Sequence, residues 1–483
     1  MKRLWMSVIL VAVQIVFSGF RACGQQFDTT WVSHFTYPTG RATELFSCIE
    51  RDGYLYYAGR SATSPYDDFL IGKMNATNGQ TVWVRNHGSR WNENDVAYGI
   101  CLDDSSMVYA IGRSLDSSGG IWATVIKCEP VAGDTIWVRN YRVASERTCI
   151  GFCGVYYGGS LYVCGLTGTE TIQNTWLAKI DPANGDTIWN SVPDVTPGYD
   201  NGARSISCDP TGNLYLAGYL SSEKLLTMKC DPFDGAVFWM RAYETGGGWS
   251  LNGYTVVYRD GALYAAGDAD SGVAATTALA KINPANGDTF WIRRDTACYS
   301  NARARGCVAN SNGDVIVVGY GFNSMANHDL MVWKHQPDGE LVSTYRYNGN
   351  SFWGDGALAC AIDAADDLYA AGMSVEDGVL TGLLMKLEES IVGIAGDPPR
   401  GSASRLSITQ RAIRFMLGRP GMVSLSIYNT LGRRVRSLIT NQRLAAGQHE
   451  ISRSSFDRLA SGVYLVRLRV GEEDLVGRLL IVK

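Results

Sequence analysis

Short apolar runs, some alternating with polar residues and some continuous, recur along most of the chain and are separated by turns rich in Gly, Asn and Asp. They repeat with a period of about 52 residues, and each unit contains four runs, which predicts four β-strands labelled A to D in chain order. The clearest unit has Leu161–Gly165 as strand B, followed by the segment Ala178–Trp189. Asn-Gly and Asp-Gly pairs between the runs predict hairpin turns, because these residues tolerate positive φ.

Three residues mark the repeat. A Gly ends strand B in seven units: Gly59, Gly112, Gly165, Gly218, Gly267, Gly319 and Gly372. A Lys ends strand C in the same units: Lys73, Lys127, Lys179, Lys229, Lys281, Lys334 and Lys386. In five units a Trp follows the Lys by ten positions: Trp83, Trp137, Trp189, Trp239 and Trp291. In the sixth unit Thr344 occupies that position, so we expect this unit to lack the Trp contact.

The period and the short strands predict an all-β fold, a seven-bladed β-propeller over residues 27–395. The seventh unit has strands A to C but no strand D after Lys386. A matching strand around Trp31 lies near the N-terminus instead, and we expect it to complete the seventh blade beside Leu383–Leu387. The composition agrees: 11% aromatic residues and 54 glycines suit strands joined by many tight turns.

The composition changes near residue 396. Residues 396–404 form a Pro/Gly/Ser-rich stretch that reads as a linker. From Asp397 onward the net charge is +9, although the whole chain carries −4, and no Cys occurs after Cys360. Val423, Leu425 and Ile427 alternate with polar residues, which predicts a half-buried antiparallel strand. We therefore expect residues 405–483 to form a separate small β-sandwich.

The N-terminus has the pattern of a signal peptide over residues 1–24. Lys2-Arg3 precedes an apolar stretch, and Ala22-Cys23-Gly24 offers small residues for cleavage after Gly24. Lipid attachment at Cys23 is the alternative. Both interpretations predict export from the cytoplasm.

Two segments carry family resemblances. Ala178–Trp189 resembles the tryptophan-docking repeat of quinoprotein-like propellers and the repeat of secreted bacterial propellers. Quinoproteins use a vicinal Cys-Cys pair near their cofactor, and this chain has no such dipeptide; we expect no cofactor. Val423–Val435, Ala460–Tyr464 and Leu479–Lys483 together resemble the sorting domain of the type IX secretion system. That resemblance implies passage through the outer membrane, with the secretion machinery as a partner and an extracellular or cell-surface location.

Catalytic motifs are sparse, and we expect no metal site. The five His residues are not spaced as metal ligands, although His34 and His87 follow equivalent strands and could pair. Residues 181–186 superficially suggest a calcium loop but repeat as a hairpin turn. The seven Lys residues could form a cationic ring for an anionic glycan, but an acidic or amide residue two positions later favours a local contact. Arginines are dispersed along the C-terminal strands, which argues against nucleic-acid binding.

Aromatic residues before strand A are the best candidates for a binding site. Each lies shortly before an Asn or Asp, in the connection from strand D of one blade to strand A of the next: Trp91, Tyr199, Trp249, Tyr299 and Trp353. Aromatic platforms beside amides suit sugar rings or peptides, whereas loop packing and Asx turns would explain the same residues structurally.

We expect a monomeric, non-enzymatic binding module for glycan or protein. The alternatives are a secreted enzyme such as a polysaccharide lyase or hydrolase, and a structural component of the cell surface.

Six cysteines lie 10–12 residues before the strand-B Gly: Cys48, Cys101, Cys153, Cys208, Cys307 and Cys360. This common position predicts buried, small apolar side chains in strand A rather than a disulfide framework. A bridge between Cys153 and Cys164, opposite each other in a hairpin, is left open.

Overall fold

The computed structural model describes most of the chain. The described residues are 25–36, 42–62, 66–88, 94–144, 146–169, 172–193, 195, 198–221, 223–245, 249–272, 274–295, 300–322, 328–349, 354–391, 404–408, 412–429, 433–456, 459–460, 462–471 and 473–481. They divide into two compact units, one over Gln26–Glu389 and the other containing the chain from Ser390 onward. Among them no helix is long and apolar enough to cross a membrane.

The strands of the first unit form seven antiparallel groups of four, which we call blades one to seven. Blade one contains β2 to β5: Thr43–Arg51, Tyr54–Ala62, Asp67–Asn75 and Thr81–His87. Blade two contains β6 to β9: Val96–Leu102, Val108–Leu115, Ile121–Cys128 and Thr135–Tyr141. Blade three contains β10 to β13: Thr148–Tyr157, Ser160–Gly168, Gln173–Ile180 and Thr187–Ser191. Blade four contains β14 to β17: Asn201–Cys208, Leu214–Leu220, Lys224–Cys230 and Val237–Tyr243.

The remaining blades continue this order. Blade five contains β18 to β21: Ser250–Arg259, Ala262–Asp270, Ala275–Ile282 and Thr289–Asp295. Blade six contains β22 to β25: Ser300–Ala309, Val315–Phe322, His328–His335 and Leu341–Tyr347. Blade seven combines β26 to β28 with the N-terminal strand β1: Gly356–Ile362, Leu368–Glu376, Val379–Ile391 and Gln25–Phe35. Strand β1 pairs with β28, so the N-terminal strand completes the last blade.

The blades follow one another around a closed ring. Strand A of each blade contacts strand A of the next, and β26 of blade seven contacts β2 of blade one. Strand A is therefore innermost and strand D outermost. One parallel bridge between Thr148 and Ile121 joins the sheets of blades two and three. The unit is a β-propeller, and this arrangement is compatible with the seven blades that the repeat predicts.

Adjacent blades share apolar cores, which explains why strand B shows little polar alternation. All nine residues of β11 in blade three are buried. One core combines Trp137 and Tyr141 of blade two with Leu161 and Trp176 of blade three. Burial on both sheet faces favours continuous apolar runs, because no face of the strand meets water.

The repeated Trp locks each blade to the next. The indole Nε1 of Trp83 donates to the Pro130 carbonyl at 3.2 Å, and that of Trp137 to the Pro182 carbonyl at 3.3 Å. Each Trp ring also covers a turn Gly of the following blade: Gly79, Gly133, Gly185, Gly235, Gly287 and Gly339. These glycines have φ of 69–87°, and their missing side chain leaves room for the indole. Trp31 makes the same contact with blade one, where its Nε1 donates to the Ala76 carbonyl.

Blade six departs from the sequence expectation in its register. In the blades that carry the repeated Trp, the Lys of strand C lies opposite the Trp of strand D, as with Lys281 and Trp291. In blade six Lys334 lies opposite Ser343, and Thr344 lies opposite Trp333. The turn before β25 is one residue shorter than in the other blades, so Ser343 rather than Thr344 occupies the Trp position.

The second unit contains two antiparallel sheets. One has the order β29-β30-β33 and the other the order β32-β31-β34-β35. Their bounds are Arg405–Ile408, Ala412–Leu417, Gly421–Asn429, Arg434–Leu444, Gly447–Ser452, Gly462–Val470 and Glu473–Ile481, with one short 3-10 turn at Arg453–Ser455. Both sheets contribute to one core that includes Phe415, Leu425 and Leu468. Val423, Leu425 and Ile427 are fully buried, as their alternation predicts.

Candidate functional site

The connections from strand D to strand A lie on the same face as those from strand B to strand C. The Asp95 amide, before strand A of blade two, donates to the Asp67 carbonyl at the start of strand C in blade one. The Asn94 side chain accepts a hydrogen bond from the Asp67 amide at 2.9 Å. We call this face the D–A face.

The Asn and Asp residues that open strand A join neighbouring blades. The Asn201 Oδ1 accepts from the Thr175 amide at 2.8 Å, and the Asn301 Oδ1 accepts from the Ala275 amide at 3.0 Å. Both bonds reach the start of strand C in the preceding blade. Asn301 has a φ of 57°, which Asn tolerates better than most residues. These amides therefore organise the loops of the D–A face.

Two of the five candidate aromatics can be placed. Trp91, Tyr299 and Trp353 lie outside the described residues. The Tyr199 side chain is 55% exposed, as a ligand platform requires. Trp249 is half-buried: its ring packs against the core between blades four and five, and the Arg294 guanidinium lies 4.7 Å from its centroid. The two aromatics stand in the connections before blades four and five.

A β-bulge interrupts strand A in every blade and places one bulky residue towards the centre of the ring. These bulge residues are Phe46, Tyr98, Phe152, Arg204, Tyr254, Arg305 and Leu358. Bulges redirect single side chains and recur at functional sites. All seven residues lie 13 or 14 positions before the strand-B Gly. This spacing can be read from the sequence, but the sequence does not show that a bulge turns these residues towards the centre of the ring.

The bulge residues contact one another around the centre and form two arcs. Tyr98 lies between Phe46 and Phe152, with ring centroids 5.5 and 5.3 Å away. On the other side, Tyr254 lies between two guanidinium groups, with Arg204 at 4.3 Å and Arg305 at 4.0 Å. The ring therefore has an aromatic arc in blades one to three and a cationic arc in blades four to six.

Next to the cationic arc, an open cleft of about 330 Å³ lies between blades five and six on the D–A face. Its lining residues come from the end of strand B and the B–C connection of blade five and from three strands of blade six: Asp270, Gly272, Ala274, Asn301, Arg303, Tyr320, Phe322 and His328. Asn301 follows Tyr299 by two positions. Gly354, which follows Trp353, packs against the His328 side chain that lines the cleft, because a Cβ on it would lie 3.0 Å from the His328 ring. Two of the candidate aromatics are thus close in sequence to residues at the cleft.

Two carboxylates hold two arginines at the cleft. The Arg303 guanidinium donates to Asp268 and to Asp270, both at 3.1 Å. Arg305 donates to Asp268 at 3.0 Å and to the Tyr320 hydroxyl at 2.9 Å. Burial alone would lower the pKa of Arg305, but the neighbouring Asp268 carboxylate raises it above its ordinary value. Burial raises the pKa of Asp268, which is fully buried, while the two arginines act in the opposite direction.

Aromatic rings form one wall of the cleft. The His328 imidazole stacks on Tyr320 with ring centroids 5.0 Å apart, and Phe322 meets its edge at 4.0 Å. Burial lowers the pKa of His328, and the Asp329 charge only partly offsets this effect. The Arg303 charge lowers this pKa as well, so the surroundings favour the uncharged imidazole.

Four of the repeated Lys residues donate to a Pro carbonyl of the next blade rather than to a residue two positions on: Lys73, Lys127, Lys179 and Lys281. Lys127 donates to the Pro182 carbonyl at 2.7 Å, and Lys73 to the Pro130 carbonyl at 2.9 Å. Each of these ammonium groups also lies near a strand-B tyrosine, as with Lys127 and Tyr109 at 5.2 Å. Lys334 instead is fully buried and pairs with Asp314 and Glu389. Lys386 pairs with Asp367 of its own blade. These contacts give the Lys residues structural roles, in most cases between blades.

The other sequence candidates also have structural partners. His34 contacts Glu376 and Tyr347, so it is held by blades seven and six. Burial lowers the pKa of His87, beside Asp68. In residues 181–186, the Asp181 carboxylate accepts from the Ala183 amide, as in a hairpin turn. Among the described residues no group of three or more His, Cys, Asp or Glu side chains could hold a metal ion.

The strand-A cysteines are free thiols that are buried or half-buried. Cys153 and Cys164 lie opposite each other in the register, as expected, but both are unbridged. The prediction of one common position is wrong: Cys153 lies opposite the residue before Gly165, whereas Cys208 lies opposite Leu214, four before Gly218. The bulge has the same register in both blades, so the two cysteines stand at different distances beyond it. Burial raises the pKa of Cys48 and of Cys307 to about 12.

Residues 408–483 match the secretion system C-terminal sorting domain. The C-terminal unit is a type IX secretion sorting domain. The protein is therefore exported to the cell surface or the extracellular space, with the secretion machinery as a partner. No curated protein sequence matches the chain.

The propeller unit is similar to several solved structures. The WD40 repeats of RRP9 match with a TM-score of 0.50 and 9% identity, and the match covers 75% of this chain and 100% of the RRP9 chain. BamB from Moraxella catarrhalis matches with a TM-score of 0.41 and 15% identity, and the match covers 74% of this chain and 99% of the BamB chain. PorZ, a surface component of the type IX secretion system of Porphyromonas gingivalis, matches with a TM-score of 0.32 and 11% identity, covering 91% and 70%. The RRP9 likeness supports the propeller fold and nothing further.

Proposed function

We propose that the exported protein is a binding module that holds a glycan or protein ligand on the D–A face of its propeller. The observation that carries this proposal is the cleft between blades five and six, where aromatic rings, an amide and arginine–carboxylate pairs converge. Concave sites with apolar walls and a few placed polar groups are the usual form of ligand sites. The exposed ring of Tyr199 on the same face adds a platform beyond the cleft.

The test is capture on glycan and peptide arrays by the full chain. Tyr199→Ala should weaken capture if the aromatics of the D–A connections contribute to binding. Phe238→Ala is the matched control, because its side chain is equally exposed (55%) but lies on the outermost strand of blade four. Absence of any captured glycan or peptide would refute the proposal.

A second candidate is a secreted polysaccharide lyase or hydrolase. It is favoured by the neutral His328 next to Tyr320 and Arg303 in one cleft, since a neutral imidazole can accept a proton. Release of reducing ends or of unsaturated sugars from polysaccharides, lost in His328→Ala, would establish this activity. Binding without product release would favour the binding module.

A further inference from the structure

We propose that the cleft between blades five and six binds one or two units of a neutral glycan. The aromatic wall of Tyr320, Phe322 and His328 would face the sugar ring, and Asp270, Asn301 and Arg303 would bond its hydroxyls. This inference rests on the proposed binding function and adds the ligand class and the roles of the lining residues.

The size and shape of the cleft suit a short carbohydrate. Its volume of about 330 Å³ lies at the lower end of small-molecule sites, which span ~300–1,000 Å³. Aromatic rings line one part of the cleft, and Gly272 and Ala274, which also line it, carry at most a methyl group. A Cβ on Gly272 would meet no atom within 4 Å. A sugar ring can lie against the aromatic rings of the cleft.

The charge balance selects a neutral ligand. Two guanidinium groups, Arg303 and Arg305, are matched by two carboxylates, Asp268 and Asp270, through the bonds described above. An anionic ligand would compete with carboxylates that are already in place. A hydroxyl can instead bond to the same network without upsetting it, because it donates to a carboxylate and accepts from a guanidinium.

The polar groups are held in place before any ligand arrives. Asp268 is fully buried and accepts a hydrogen bond from Arg303, while the Asp270 carboxylate also accepts from the Gly272 amide at 2.8 Å. His328 is fixed between two rings, and the Asn301 amide is tied to blade five. Groups fixed beforehand lose little conformational entropy on binding. The cleft is thus preorganised for a polar, uncharged ring.

Calorimetric titration of the full chain tests the proposal. The neutral probes are cellobiose, maltose, mannobiose and diacetylchitobiose, and the anionic probes are digalacturonate and a chondroitin sulfate disaccharide. At least one neutral probe should bind, with an affinity that added NaCl leaves unchanged, because no net charge is screened. Phe322→Ala and Arg303→Gln should each weaken binding about tenfold. The controls Phe290→Ala, on the outermost strand of blade five, and Arg259→Gln, beside the turn after strand A, should leave it unchanged.

Ala274→Trp tests the cleft with a variant that is expected to remain folded. It adds bulk to the lining of the cleft, outside the shared cores, and should abolish binding while the melting temperature stays near that of the wild type. Neutral-sugar binding that survives all three cleft variants would overturn the site. Binding of the anionic probes alone, or of array peptides alone, would overturn the ligand class but leave the proposed function standing. No binding of any sugar or peptide would refute both.

Discussion

The contact between each Trp and the next blade's turn Gly can be measured with one pair of substitutions in blade two. Gly133 and Gly119 have nearly the same φ, 79° and 78°. A Cβ on Gly133 would lie 2.6 Å from the Trp83 ring, whereas a Cβ on Gly119 would meet no atom within 4 Å. Gly133→Ala therefore perturbs both the backbone and the blade contact, and Gly119→Ala perturbs the backbone alone.

The expected costs follow from these two situations. An L-residue in the left-handed region costs about 1–2 kcal/mol, which is the whole effect expected for Gly119→Ala. Gly133→Ala should add the cost of overpacking against a buried indole, about 1–3 kcal/mol. The total for Gly133→Ala is then about 2–5 kcal/mol. The surplus over Gly119→Ala measures the blade contact.

Urea unfolding of the full chain, followed by tryptophan fluorescence, provides the measurement. In a Trp83→Leu background the surplus should disappear, because the flexible side chain can yield to the new methyl group. Equal destabilisation by both Gly variants in the wild-type background would show that the Trp–Gly contact does not hold the blades together.

Three further predictions concern the buried groups and the export signal. The seven buried cysteines among the described residues, Cys48 and Cys307 included, should resist Ellman's reagent at pH 8 in the folded chain and react after denaturation; rapid native labelling of these seven would contradict their burial. Lys334→Met should lower the free energy of unfolding by about 3–5 kcal/mol, because it leaves the Asp314 and Glu389 carboxylates without this cation. Lys281→Met should lower it much less, because Lys281 donates only to a carbonyl. Similar losses in the two variants would refute the distinction. Deleting residues 408–483 should leave folded propeller in the periplasm, as fractionation would show, and normal surface display would refute the sorting role.

Much of the fold could be predicted from the sequence because the repeat is local. The Lys-to-Trp spacing reports one strand, one turn and the next strand, and each unit repeats this information. The missing strand after Lys386 and its copy around Trp31 even indicated how the last blade is completed. The sorting domain was similarly readable, since its alternating Val423, Leu425 and Ile427 face one core.

The candidate site was harder to predict, because it depends on contacts between blades. The spacing of Arg303 and His328 gives no sign that both line one cleft, or that Asp268 of blade five holds an arginine of blade six. The sequence shows that the five aromatics recur at one position of the repeat, but it does not show whether their side chains are exposed. Trp249 proves to be half-buried. The common position assigned to the cysteines failed because their spacing to the strand-B Gly varies and the A–B hairpin differs by one residue between blades, so the cysteines face different partners.

The sequence by itself determined the strand pattern, the repeat, the completion of blade seven and the route of export, because each of these is written in local spacing or in a contiguous segment. Only the tertiary structure decided that four of the Lys residues bond the next blade's carbonyls, that bulges direct seven side chains to the centre of the ring, and that a balanced arginine–carboxylate network borders one cleft. These features arise where residues distant in the chain meet. Hydrophobic periodicity specifies which face of a strand is buried, whereas the neighbour on that face is set by how the blades pack.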